Sequence, residues 1–381
     1  MGYRNVVVLV PGFFGFGRLG DFYYFADRVA ALLRGSLESQ LGQRVPVMAA
    51  STDPAGSLAS RQRFLLDTLR YMESDVFKSP VVFHLVGHST GGVDAQLLQS
   101  AQPLIGGSWA EIDPSNVRTR VQSIVTISAP FYGTCLSESP AVGVLSHSNH
   151  HLGGWVETTE LVVALAQLAI DRTIVHEAVA ASMRHASGAA EFLWHLLTDQ
   201  RLLVDLIPRR MEEVQRAHPM ARQIPVTCFV TAAPDEPQER PETREERILE
   251  LRVPDRFFKL LHRLTGTCGA TPCTFPRALR SFSDPSPIQR GTAPVPVLTP
   301  ATNDGVVNSL SQLLQDPNAK FGGLVVGDHG DVLGHYDRLD PLTGDALINR
   351  GFFCSGAGFG DDQFFDLYGR VAAAIVASAK G

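Results

Sequence analysis

No stretch of this 381-residue chain stays apolar for the roughly 18 residues that a membrane-spanning helix needs. A helical membrane protein is thereby excluded. Dense basic clusters are also missing: 33 Lys and Arg stand against 39 Asp and Glu, for a net charge of −6. That balance argues against a nucleic-acid partner. Cysteine is scarce. Only Cys135, Cys228, Cys268, Cys273 and Cys354 occur, none in a CxxC spacing, so a zinc cluster is not expected. Cys268 and Cys273 are close enough in sequence to bridge in an exported protein, and the odd total leaves at least one thiol free. Met1 to Asn5 runs directly into an apolar strand without the apolar core of a signal peptide. The expectation is an intracellular protein, or an exported one whose signal lies outside this sequence. Internal repeats and low-complexity tails are absent too.

What is present fits a large globular core. The chain is 44% hydrophobic and 19% charged, and its length suits one α/β domain with insertions, or two domains. Short β-branched runs end at turn residues: Val6–Val10 before Pro11-Gly12, Val45–Met48, Val81–Val86, Val121–Ser128, Pro225–Thr231 and Gly323–Val326. Helical spacing of apolar residues falls between them, at Tyr23–Leu41, Ser60–Met72 and, closing the chain, Phe364–Ala377. Strands alternating with helices imply a mostly parallel, doubly wound sheet. Between Glu157 and Arg216 the strand signal stops and leucines recur at helical spacing. The spacing predicts a helical insertion over 135–220, a cap or lid, set in a core formed by 1–134 and 221–381. The charge-rich and Pro/Gly-rich stretch over about 235–300 reads as a further loop insertion.

The segment Gly87-His88-Ser89-Thr90-Gly91-Gly92 follows one of the strands and precedes Val93–Leu98, which reads as a helix. A G-x-S-x-G between a strand and a helix builds a nucleophile elbow. Small residues two before and two after the serine let backbone and helix crowd together, and the hydroxyl stands exposed above the sheet. The structural alternative is a glycine-rich turn with an idle serine.

A serine hydroxyl needs a histidine to take its proton and a carboxylate to orient that imidazole. In the elbow architecture both come later in the chain, at the carboxyl ends of later strands. Of 12 histidines, His84 and His88 sit within or beside the elbow, and eight others lie in inserted regions. His329 and His335 remain; His329 directly follows the last predicted strand, and His335 is expected to orient the loop or serve the core. The acid is Asp304, in an Asn303-Asp304-Gly305 turn, with Asp328 and Asp331 as rivals that alternatively serve the loop. The oxyanion requires N–H donors. Thr90, after the nucleophile, supplies one, and Phe13, in the glycine-rich loop after the first strand, supplies the other, with Phe14 in reserve. Phe14, Phe131 and Tyr132 are expected to wall an apolar substrate pocket.

These residues together give the chain a resemblance to bacterial triacylglycerol lipases and related esterases of the α/β-hydrolase fold. It rests on Pro11-Gly12-Phe13, the Gly87–Gly92 elbow, Ser128–Thr134, Asn303-Asp304-Gly305 and Asp328-His329-Gly330-Asp331, in the family's order. It implies a triad of Ser89, Asp304 and His329, Phe13 as oxyanion donor, and hydrolysis of a small-molecule or lipid ester, with transient contact to a lipid interface. Pro11 stands where the family usually has His, and Thr90 where it often has Gln. Many of these lipases hold a structural calcium, which Asp331 and Asp284 would ligate here; the chemistry itself requires no cofactor. Thioesterase, lactonase, polyester hydrolase and acyltransferase chemistries share such a triad. A silent apolar-ligand-binding protein is the reading from another class.

Overall fold

The computed structural model describes residues 4–13, 18–19, 22–53, 56–138, 201–234, 253–267, 284–291, 294–336, 338–339, 346–348 and 355–380. Phe14, Cys268, Cys273, Cys354 and residues 139–200 of the expected cap lie outside them.

Six strands form the main sheet: β1 (Arg4–Val10), β2 (Val47–Ala49), β3 (Val81–His88), β4 (Val121–Ile127), β5 (Val226–Ala232) and β6 (Ala319–Val326). Their spatial order is β2-β1-β3-β4-β5-β6, and every pairing is parallel. Helices α1 (Asp27–Leu41), α2 (Leu58–Tyr71), α3 (Thr90–Leu97), α4 (Pro208–Ala217), α5 (Val253–Gly266) and α6 (Asp361–Ala379) follow the same chain order.

The continuous apolar run of β1 follows from burial on both faces. Val6, Val8 and Val10 pack in one core cluster with Leu65 and Leu69 of α2 and Val93 of α3. Val7 and Leu9 point the other way, into a cluster with Val29, Leu33 and Leu37 of α1 and Phe364, Leu367 and Val371 of α6. The i, i+4, i+8 stripe on α1 is what lets one helix cover that face. Each such side chain contributes about 1.5–3 kcal/mol when fully buried. Caps fix the helix ends. The Ser57 hydroxyl accepts the Ser60 N–H to start α2, and Gly42, left-handed at φ 63°, closes α1 onto the Glu38 carbonyl.

One histidine belongs to the sheet itself. His84, in the middle of β3, lies 2.7 Å from Ser123 Oγ on β4 through Nδ1 and 3.1 Å from Asn5 Oδ1 on β1 through Nε2. Burial pushes its imidazole down to about 4, so it stays neutral.

The loop insertion expected over about 235–300 contains α5, whose Phe258, Leu261 and Leu264 are buried. Their three-residue spacing is a helical signal, overshadowed in the sequence by the charged and Pro/Gly-rich residues on either side. Cys135 is disulfide-bonded and Cys228 is a buried free thiol.

Candidate active site

The chain turns sharply where β3 gives way to α3. Ser89 sits between them with φ 53° and ψ −135°, a left-handed conformation that costs a non-glycine residue about 1–3 kcal/mol. The surroundings hold it there. Its N–H donates to the Ile127 carbonyl at the end of β4, and its own carbonyl accepts the Gly92 N–H, each at 2.9 Å. A Cβ on Gly91 would fall 2.1 Å from the Val10 carbonyl oxygen, so α3 can start against β1 only with glycine at that position. Thr90 is the first residue of α3, where helix N–H groups lack intrahelical acceptors and the helix dipole is positive.

Asp304 and His329 arrive from loops at the carboxyl ends of β5 and β6. The Ala233 N–H, just past β5, donates to the Asn303 carbonyl at 2.9 Å, which docks the acid-bearing turn on the sheet. His329 Nδ1 then stands 2.8 Å from Asp304 Oδ2. A carboxylate only accepts, so the Nδ1 proton points at Asp304 and Nε2 is left as the basic nitrogen. The acid is itself held from all sides. Val306 and Val307 N–H groups donate to Oδ1 at 3.1 and 2.8 Å. Thr231 Oγ1 donates to Oδ2 at 2.5 Å, and Gln312 Nε2 at 3.2 Å. Ser128 Oγ, 2.7 Å from Thr231 Oγ1, extends the network to the end of β4.

The imidazole of His88, next to Ser89, packs 4.5 Å from that of His329, centroid to centroid. Elbow and histidine loop are therefore in contact. Burial, and secondarily His329 beside it, holds His88 well below the ordinary imidazole range.

A search of family models finds none that matches this chain, and no curated protein matches it. Solved structures do. EstA from Clostridium botulinum superposes with a TM-score of 0.50 at 17% identity, covering 98% of this chain and 87% of that one. The Staphylococcus hyicus lipase gives 0.48 at 15%, over 99% and 96%. The mature Bacillus licheniformis lipase BlEst2 gives 0.42 at 14%, over 86% and 85%. With the parallel sheet and the elbow between β3 and α3, the fold is that of the α/β-hydrolases.

Phe131 is fully buried in the core cluster of α2 and α3, and Tyr132 joins it there, with its hydroxyl accepting the Gln315 N–H at 3.0 Å. His335 serves structure, its Nε2 donating to the Tyr24 carbonyl at 3.1 Å. Asp328 and Asp331 build the histidine loop reciprocally. Asp328 Oδ1 accepts the Gly330 and Asp331 N–H groups, while Asp331 Oδ2 accepts the Asp328 N–H at 2.9 Å. Burial pushes the Asp328 carboxyl up to about 7. Asp284 bonds the Ser286 and Leu324 N–H groups at 3.0 and 2.8 Å. Asp284 and Asp331 thus each accept main-chain N–H groups. Among the described residues no group of three or more His, Cys, Asp or Glu has metal-binding geometry.

Sequence reasoning overlooked Thr231, Gln312 and the pair Arg61–Asp94. Arg61 on α2 and Asp94 on α3 are both fully buried, with Nη2 to Oδ2 at 2.7 Å and Nε to Oδ2 at 3.0 Å. A threonine in a strand and an arginine in a helix are both ordinary in sequence. Only Arg61 and Gln62, set among Leu58, Leu65, Leu66 and Leu69 on one face of α2, hinted at buried polar contacts.

Proposed function

We propose that this protein is a serine hydrolase of carboxylic esters carrying apolar acyl groups. The observation that carries the reading is the 2.8 Å contact of His329 Nδ1 with Asp304 Oδ2, beside an elbow that holds Ser89 at positive φ. In this reading Ser89 Oγ attacks the ester carbonyl and passes its proton to His329 Nε2. The Phe13 and Thr90 N–H groups hold the developing oxyanion. Collapse breaks the bond to the alcohol oxygen, which leaves with the proton from His329. Water, deprotonated by the same imidazole, then attacks the acyl-serine and releases the acid. Asp304 fixes the tautomer throughout and orients the ring. Phe13, half-buried against the core beside its own N–H donor, supports an apolar acyl group. A lid drawn from 135–220, opening transiently onto a lipid surface, completes the proposal.

The test is hydrolysis of p-nitrophenyl esters from two to sixteen carbons by wild type and Ser89→Ala, together with labelling by a fluorophosphonate. Chain-length-dependent turnover and labelling, both abolished by Ser89→Ala, are expected. A wild-type protein that cleaves no ester but still labels at Ser89 performs another acyl transfer. One that does neither is a ligand-binding member of the fold, and the hydrolase reading fails.

A further inference from the structure

The loop after β1 is gripped at a single peptide unit. On one side, the Pro11 carbonyl accepts Arg61 Nη2 at 2.9 Å. On the other, the Gly12 main chain hydrogen-bonds the Tyr24 hydroxyl; burial pushes that hydroxyl's pKa up, and the Gly12 contact opposes the rise, as an N–H donating to the oxygen does. The same hydroxyl hydrogen-bonds His88 Nδ1, 2.7 Å away. Both polar ends of the Pro11–Gly12 peptide are therefore taken by buried side chains from different elements, and its plane cannot rotate without breaking one of them.

The next N–H in the chain is that of Phe13. The clamped unit lies directly against the nucleophile: a Cβ on Gly12 would fall 2.5 Å from Ser89 Cβ, 2.6 Å from the Tyr24 hydroxyl and 2.9 Å from the His88 carbonyl oxygen. Arg61 is in turn bound to Asp94 on α3, the helix whose first residue is Thr90. Arg61 also donates to the Asp53 carbonyl at 2.7 Å through Nη1, which leaves the guanidinium little freedom. One buried cation thus spans the two segments that carry the Phe13 and Thr90 N–H groups.

We infer that Tyr24 and Arg61 are positioning residues that set the oxyanion pocket by clamping the Pro11–Gly12 peptide between them, an inference that rests on the ester-hydrolase reading. Neither touches substrate. They act by holding the Phe13 N–H at a fixed offset from Ser89, so that the pocket exists before substrate arrives and no reorganisation is needed as charge develops on the carbonyl oxygen. Tyr24 adds a second tie, because the same hydroxyl holds His88, whose ring packs on His329. Oxyanion loop, elbow and histidine loop share one hydrogen-bonded junction.

The decisive variant is Tyr24→Phe, which deletes one oxygen. A misplaced donor costs about 10- to 100-fold in rate. We expect kcat on p-nitrophenyl butyrate to fall by that factor while KM stays within about threefold. The affinity for a trifluoromethyl ketone, whose adduct with Ser89 carries an oxyanion, should fall in step. Tyr336→Phe is the control for losing a buried hydroxyl elsewhere. It removes a hydrogen bond to Asp361 and should lower Tm without changing kcat. If Tyr24→Phe matches wild type in kcat and ketone affinity while wild type hydrolyses ester and labels with fluorophosphonate, the clamp is overturned and the hydrolase reading stands. The clamp is equally overturned if Tyr24→Phe loses activity only in proportion to the fraction of Ser89 that can be titrated. If wild type neither hydrolyses ester nor labels, the hydrolase reading fails and takes the clamp's role with it.

Discussion

Asp304 holds His329 twice. Its carboxylate Oδ2 stands 2.8 Å from His329 Nδ1, and its main-chain carbonyl accepts the His329 N–H at 3.0 Å. The two residues come from different loops, yet both backbone and ring of the histidine are fixed by the same acid. Asp304→Asn keeps the shape but offers an amide, which can present its own donor to Nδ1 and so turn the imidazole tautomer round. A fall in kcat of about 10⁴-fold on a short-chain ester, with KM within a few-fold, is expected from steady-state kinetics. A loss under tenfold would remove Asp304 from the triad.

Thr231 is the nearest oxygen to that carboxylate, donating at 2.5 Å from the end of β5. Thr231→Val preserves volume and β-branching while removing the donor, so the carboxylate gains freedom to leave the imidazole. We expect kcat to fall about tenfold and Thr231→Ser to restore most of it, in line with the ~1.5–3 kcal/mol of a hydrogen bond to a charged group. Equal rates for Val and Ser would show that the hydroxyl contributes nothing to positioning.

Arg61 and Asp94 form an ion pair with both side chains fully buried. Burial raises the Asp94 pKa and Arg61 opposes that rise, so each ion depends on its partner for the lost hydration. Asp94→Ala leaves an uncompensated buried guanidinium and should cost about 3–5 kcal/mol in urea unfolding. Glu212→Ala, which removes the exposed partner of Arg216, should leave the urea midpoint unchanged. Similar shifts for the two variants would contradict the assigned burial.

His84 gives the fold an acid limb. In the folded chain its pKa is down at about 4 from an ordinary 6.5, because burial penalises the charged ring. The unfolded chain therefore binds more protons between those values, and stability present above pH 6.5 is lost as the pH falls toward 4. The contribution is on the order of 3 kcal/mol. His88 is shifted in the same direction. Urea midpoints measured from pH 4 to 8 should fall less steeply on the acid side for His84→Gln than for wild type. Parallel curves would mean that His84 does not supply the acid limb.

The sequence by itself determined the layered α/β architecture and the chain order of the candidate site. Period-2 and period-3.6 patterns are local properties, so the apolar run of β1, the Leu stripe of α1 and the glycines around Ser89 all speak before folding. The expected strand over 81–86 is longer in the structure, reaching His88, because the two residues before the nucleophile continue the ladder with β4. Asp304 and His329 were legible for a related reason: each follows a turn or strand end whose residues mark it. The tertiary structure supplied the contact itself: Asp304 Oδ2 faces His329 Nδ1, while Asp328 and Asp331 accept each other's N–H groups in the histidine loop. It also packed Phe131 and Tyr132 against the core and gave Asp284 and Asp331 main-chain N–H partners. Thr231, Gln312, Tyr24 and Arg61 could not be read from the chain, since their partners are 8 or more residues away. Hydrogen bonds of that kind have no periodicity. They exist only once the sheet has brought the loop ends together.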